Sequence, residues 1–108
     1  MNLASEYSDG RLTVYLHGEL DHHSAKTTVS GIAGLIDRYL PRDLVLDLGQ
    51  LGFMDSSGIA VIVCSFRRMK NAGGRMYIEN VQTQPLRVLD ASGIDRLLPV
   101  AAKREVRT

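Results

Sequence analysis

The pattern of apolar and polar positions changes period along the chain, and the changes mark its elements. Leu12, Val14 and Leu16 alternate with Thr13, Tyr15 and His17, which predicts a strand over 11–17 with one face on a core. Residues 3–7 have weaker strand character, and Asp9-Gly10 between the two segments is a strong hairpin signal. The two segments are expected to pair antiparallel, with Gly18-Glu19-Leu20-Asp21 ending the second. Helical spacing follows. Ala25, Val29, Ile32, Ala33, Ile36 and Leu40 fall on one face, with Asp21 or Ser24 as the cap and Pro41 as the stop. Gly31 and Gly34 weaken this helix by ~1 kcal/mol each relative to Ala, and would allow close approach to a neighbouring element.

Leu44-Val45-Leu46-Asp47-Leu48 is the clearest strand, apolar at all but one position and so expected at the centre of a sheet. Gly49–Phe53 reads as a connection to a turn at Asp55–Gly58. A second helix is predicted over 57–71, with Ile59, Ile62, Val63, Phe66 and Met69 or Lys70 inward and Gly73-Gly74 as its stop. Ala60, Val61 and Cys64 broaden its apolar arc towards another helix or a partner. A strand over 75–79 comes next. A short helix then starts with Thr83 as cap and Pro85 in its first turn, turns Leu86 and Leu89 inward, and ends at Ser92-Gly93. Leu97–Val100 reads as a short edge strand, because Pro99 cannot donate to a ladder. The tail from Ala101 to Thr108 is polar and reads as weakly helical or unordered. Strands alternating with helices after residue 20 imply an α/β sheet with right-handed crossovers, made mixed by the opening hairpin.

Composition narrows the class. The chain has 108 residues, which fits one domain over 1–108, and its 44% apolar content supplies a modest core. Thirteen Lys and Arg against twelve Asp and Glu give a net charge of +1, so no strong field draws the chain to nucleic acid or an anionic membrane. The basic clusters Arg67-Arg68-Lys70 and Lys103-Arg104-Arg107 read as solvated faces. Cys64 stands alone, which excludes an intrachain disulfide, and its apolar neighbours predict a buried thiol. No signal-peptide pattern and no stretch near the ~20 residues of a membrane span appear, so a cytoplasmic location is the default expectation.

Candidate chemistry gathers at Phe53-Met54-Asp55-Ser56-Ser57-Gly58, a strand-to-helix turn where the first helical N–H groups are unpaired. Asp and Ser are equally the ordinary capping residues. Asp21-His22-His23 invites a metal reading, but adjacent histidines at a helix start diverge by about 100° and no H-E-x-x-H spacing exists. Ser56 and Ser57 lack a G-x-S-x-G setting and no histidine follows them, which argues against a serine hydrolase. Asp21, Asp47 and Asp55 could gather at the carboxyl ends of strands and hold Mg²⁺, or could serve only as caps and strand-edge groups. A serine at a helix start can also accept a phosphate without being a nucleophile in catalysis. The new dianion is tolerated by the helix end but repels an acidic or closely packed partner.

At these residues the chain resembles a known family. Gly18-Glu19-Leu20-Asp21-His22-His23-Ser24-Ala25 and Leu51-Gly52-Phe53-Met54-Asp55-Ser56-Ser57-Gly58-Ile59 are similar to the two signature stretches of the bacterial anti-sigma factor antagonists, which are single STAS domains. Gly73-Gly74, Leu86-Arg87 and Ser92-Gly93 extend the likeness. The resemblance implies a mixed sheet of four or five strands with an N-terminal hairpin and three or four helices mostly on one side. It implies phosphorylation at Ser57, and partner recognition by Asp21, His22, Asp55, Ser56, Ser57 and Gly58. The implied partners are an anti-sigma factor serine kinase of the GHKL type and a PP2C-type phosphatase. ATP would bind the kinase, not this chain, which would carry no cofactor and no enzyme activity. One departure concerns the end of the chain. Ala101, Ala102 and Val106 offer little for the family's last amphipathic helix, so either that helix is stunted or a homodimer covers what it leaves open. A constitutive scaffold subunit of a stressosome-like or lipid-transport complex is the alternative reading.

Overall fold

A computed structural model describes residues 2–103. The chain forms β1 (Asn2–Ser8), β2 (Arg11–Leu20), α1 (His22–Tyr39), β3 (Asp43–Met54), α2 (Ser56–Asn71), β4 (Arg75–Val81), α3 (Thr83–Ser92), a 3₁₀ turn (Ile94–Arg96) and β5 (Val100–Ala102). The sheet order is β1-β2-β3-β4-β5. β1 and β2 are antiparallel, and every later pair is parallel. Each crossover therefore steps one strand in the same direction, and the right-handed rule puts all three helices on one face. The core lies between that face and the helices, built on Leu12, Val14, Leu16, Leu44, Leu46 and Ile78. This is the mixed α/β architecture that the resemblance implies.

The hairpin closes through Asp9 and Gly10, both with positive φ (51° and 80°), the type I′ turn that Asp-Gly favours. β2 and β3 run further than periodicity indicates. β2 continues through Gly18 (φ 105°) to Leu20, and the Gly49–Phe53 stretch is strand rather than connection. The two extensions pair with each other, Gln50 with His17 and Met54 with Leu20, across two register shifts. Each supplies the ladder that the other lacks locally.

Three helix faces differ from expectation. Leu40 lies outside α1 and 78% exposed, because Pro41 bars it from the helical region and it turns to φ 46°. The buried face of α2 is Gly58, Val61, Ile62, Ser65 and Met69, while Ile59, Val63 and Phe66 flank it half-buried and Lys70 is exposed. Ser65 enters the core at little cost because its hydroxyl donates to Val61 O at 2.9 Å. The helix is rolled by the same amount at Cys64, which is exposed rather than buried. In α3 the cap position is Gln82 and not Thr83, with no side-chain capping bond. Leu89 is buried and Gly93 (φ 74°) ends the helix as expected.

Gly31 of α1 stands directly over β1, since a Cβ there would lie 2.6 Å from Leu3 Cδ1. A Cβ at Gly34 would meet no atom of the described residues within 4 Å. The last strand is displaced. Pro99 contributes only its carbonyl, which accepts from Ile78 N at 2.9 Å, and pairing proper begins at Val100. Leu97 and Leu98 follow the 3₁₀ turn, Leu98 buried and Leu97 exposed. Ala101 and Ala102 thus belong to a strand, Lys103 follows with its N–H donating to Val81 O at 2.8 Å, and the remainder of the expected tail, 104–108, lies outside the described residues.

Candidate functional site

The ends of β2 and β3 are neighbours in the sheet, so the helices that follow them start side by side. Asp55 N donates to Leu20 O at 3.1 Å, tying the two junctions together. Asp21 caps α1. Its Oδ1 accepts from His23 N at 3.0 Å and Ser24 N at 3.1 Å, and its own N–H donates to Ser24 Oγ at 3.1 Å. This reciprocal box is the arrangement in which both ends of the first turn are satisfied by side chains. The Ser24 backbone N–H, foremost, holds the Asp21 carboxyl below the usual aspartate range, so it is anionic at neutral pH.

Asp55 caps α2 more simply, with Oδ1 accepting a single bond from Ser57 N at 2.8 Å. Ser56 is exposed and Ser57 half-buried. The Ser57 hydroxyl makes no hydrogen bond among the described residues. It is nonetheless not sealed in, because among those residues no buried side-chain oxygen or nitrogen lacks a partner. Ser57 Oγ therefore reaches solvent from the first turn of α2, with the Asp55 carboxylate on its own backbone N–H. Gly58 is buried rather than presented at the surface. A Cβ there would lie 2.5 Å from Met54 Cγ, 2.9 Å from Met54 Sδ and 3.2 Å from Leu20 Cδ2, so glycine sets how closely α2 sits on the strand ends. Phe53, 40% exposed, stands beside this rim.

Other sequence candidates divide. His22 and His23 are exposed at the start of α1, but their rings do not diverge. The centroids are 3.9 Å apart at 38°, because side-chain torsions override the 100° backbone step when both residues are free of packing. Asp47 does not join Asp21 and Asp55. It lies eight residues before Asp55 on an extended strand, roughly 26 Å away, and accepts from Gly49 N at 2.9 Å and Asn80 Nδ2 at 3.3 Å. The three carboxylates thus serve three separate local structures, and among the described residues no group of three His, Cys, Asp or Glu side chains converges on a metal-sized site.

Gln84 was not visible in the sequence as a site residue. From the first turn of α3 its amide donates to Met54 O at 2.9 Å and accepts from Met54 N at 2.8 Å. It thereby replaces a missing strand partner for the residue just before Asp55. The only signal available was an amide near a helix start, since the partner lies 30 residues away. Ser56, Ile59, Gln84, Arg87, Val88 and Ala91 line an open groove of about 570 Å³ between α2 and α3, next to the two serines. Replacing Gln84 by Ala is expected to cost about 2 kcal/mol in urea unfolding, since it strands both backbone groups of the fully buried Met54. A Gln84→Ala midpoint equal to wild type would show that the clamp contributes nothing.

Comparison with known proteins agrees with this geometry. The STAS domain family model matches residues 2–106. An anti-sigma F factor antagonist from Paenibacillus polymyxa is 35% identical over 100 residues, covering 93% of this chain and 86% of that protein. The crystal structure of an anti-sigma factor antagonist from Mycobacterium paratuberculosis superposes with a TM-score of 0.83 at 22% identity, over 93% of this chain and 84% of that one. The Bacillus cell fate determinant SpoIIAA in its phosphorylated form gives a TM-score of 0.70 at 24% identity, over 94% and 91%. With the family pattern running through nearly every residue, and with five strands and three helices in the matching order, the chain belongs to the STAS domain family.

Proposed function

We propose that this domain is an anti-sigma factor antagonist switched by phosphorylation of Ser57. The observation that carries the reading is the Ser57 hydroxyl, open to solvent in the first turn of α2 and unpartnered among the described residues, with the Asp55 carboxylate on its own backbone N–H and the start of α1 tied alongside by the bond from Asp55 N to Leu20 O. Unmodified, the rim of Asp21, His22, Asp55, Ser56 and Ser57 docks on an anti-sigma factor kinase of the GHKL type and so frees the sigma factor. The kinase holds ATP. Ser57 Oγ takes the γ-phosphoryl group, its proton passes to a base on the kinase, and ADP leaves.

The phosphoserine then carries ≈ −1.5 to −2 charges beside Asp21 and Asp55. The α2 N-terminus tolerates that charge, so the fold persists, while the docking surface loses its fit and gains repulsion. A PP2C-type phosphatase resets the switch. Gly58 contributes by position, holding Ser57 at the rim, and the α2–α3 groove with its apolar Ile59 and Val88 supplies contact area beside the serines.

Incubation with the cognate kinase and ATP, followed by intact-mass measurement, tests the proposal. Wild type is expected to gain one phosphoryl group and Ser57→Ala none. Phosphate retained by Ser57→Ala, or absent from wild type, overturns it and leaves the unmodified scaffold reading in its place.

A further inference from the structure

The edge of the sheet at β1 has a property that concerns none of the residues above. Among the described residues no strand lies beyond β1, which spans seven residues with an unbroken ladder to β2 from Asn2–His17 to Ser8–Arg11. Natural edge strands are blunted by brevity, bulges, lysine or proline. β5, at the other edge, has three residues and an irregular register. β1 has none of these devices; its sequence Asn-Leu-Ala-Ser-Glu-Tyr-Ser contains one charge, Glu6.

The turn fixes which backbone groups point outward. A two-residue I′ turn closes on a hydrogen-bonded pair, here Ser8 and Arg11. Alternation along an antiparallel ladder then directs the N–H and C=O of Ser8, Glu6, Ala4 and Asn2 at β2. Those of Tyr7, Ser5 and Leu3 face away from the sheet. We propose that this edge pairs with β1 of a second copy about a twofold axis through Ser5.

In that register Ser5 meets Ser5, Leu3 meets Tyr7 and Tyr7 meets Leu3. All three are outward-facing pairs, so each exchanges two hydrogen bonds. Glu6 falls opposite Ala4 and not opposite the second Glu6, which removes the like-charge contact that the single acidic residue would otherwise make. Leu3 and Tyr7 share the helix side of the sheet, where Tyr7 stacks on Tyr39 of α1 with centroids 4.8 Å apart. Pairing lays each half-exposed Tyr7 ring along the other copy's Leu3.

A second observation points the same way. α1 runs above β1, from Gly31 over Leu3 to Tyr39 over Tyr7. A twofold through Ser5 therefore sets the two α1 helices nearest each other midway between these residues, at Leu35, which a single copy leaves half-buried.

The test uses the whole chain. Sedimentation equilibrium at about 100 μM, a concentration that detects even weak self-association, is expected to give twice the chain mass. Amide exchange is expected to slow at Leu3, Ser5 and Tyr7 in a concentration-dependent way, since these amides have no partner among the described residues of a single copy. Ser5→Pro removes an outward donor that the β1–β2 ladder does not use. It is expected to weaken self-association by at least about 100-fold with an unchanged circular dichroism spectrum. A wild-type monomer at that concentration overturns the proposal. So does a dimer whose three amides exchange freely, or a folded Ser5→Pro variant that still dimerises. Should Ser5→Pro fail to fold, the exchange measurement on wild type decides alone. None of these readouts involves Ser57, so the phosphorylation switch and the β1 pairing stand or fall separately.

Discussion

Replacing Ser57 by Asp is expected to weaken binding to the anti-sigma factor kinase by on the order of a hundredfold, ~3 kcal/mol, while the domain's unfolding midpoint barely moves. The two halves of that result have different causes. Inside the domain the new carboxylate sits in the first turn of α2, where an acidic group gains about 0.3–1 kcal/mol from the helix end. Repulsion from Asp55, and from Asp21 across the Asp55–Leu20 backbone bond, offsets a similar amount at this solvated rim. In a complex the same carboxylate is stripped of water against a surface shaped for a neutral hydroxyl, where an unpaired charge costs several kcal/mol. Calorimetric titration of the kinase with wild type, Ser57→Ala and Ser57→Asp separates bulk from charge. Ser57→Ala should bind like wild type. The Asp penalty should shrink as salt rises towards 1 M, where the screening length falls to about 3 Å. An Asp variant that binds as tightly as wild type would rule out charge as the means of release.

Gly58→Val should lower stability by about 3 kcal/mol, the upper range for forcing extra methyl groups into a packed site. Ala at this position would regain ~1 kcal/mol of helix propensity against its own clash, so valine gives the cleaner reading. The atoms a Cβ would strike belong to Met54 and Leu20, both fully enclosed, and Met54 is held at its backbone by Gln84. Neither can retreat without opening the strand ends. At 4–8 °C per kcal/mol for a chain of this size, the thermal midpoint should fall by at least about 10 °C. The damage should also reach docking, because lifting the first turn of α2 moves Ser56 and Ser57 with it. A Gly58→Val protein that melts like wild type would show that α2 does not rest on Met54.

Much of this was legible because it is local. Asp9-Gly10 specifies its own turn, Asp21 and Asp55 specify their own helix starts, and Leu44–Leu48 can only be a central strand. The turn at Asp55–Gly58 was legible for the same reason, as a strand pattern ending and a helix pattern beginning. What escaped the sequence depends on partners far along the chain. The roll of α2, which buries Ser65 and exposes Cys64, follows from Gly58 settling on Met54 and Leu20. The extension of β3 through Phe53 depends on β2 extending beside it. Gln84 finds Met54 across α2 and β4, and the late start of β5 follows from what Pro99 can offer Ile78. The close pairing of the His22 and His23 rings is a matter of free side-chain torsions, to which periodicity is blind.

The crossovers all step the same way, so the molecule has two unlike poles. At one, the strands hand over to helices beside Asp21, Asp55 and Gln84. At the other, the Asp9-Gly10 turn, Arg42 and Arg75 are stitched by backbone bonds from Arg42 N and Asp43 N to Gly10 O and from Arg75 N to Arg42 O. β3 runs from one to the other, in a molecule whose longest extent is 35 Å. A protein seated on the first pole leaves the second free to be tethered, so the same domain can be anchored and regulated at once without the two attachments competing for space.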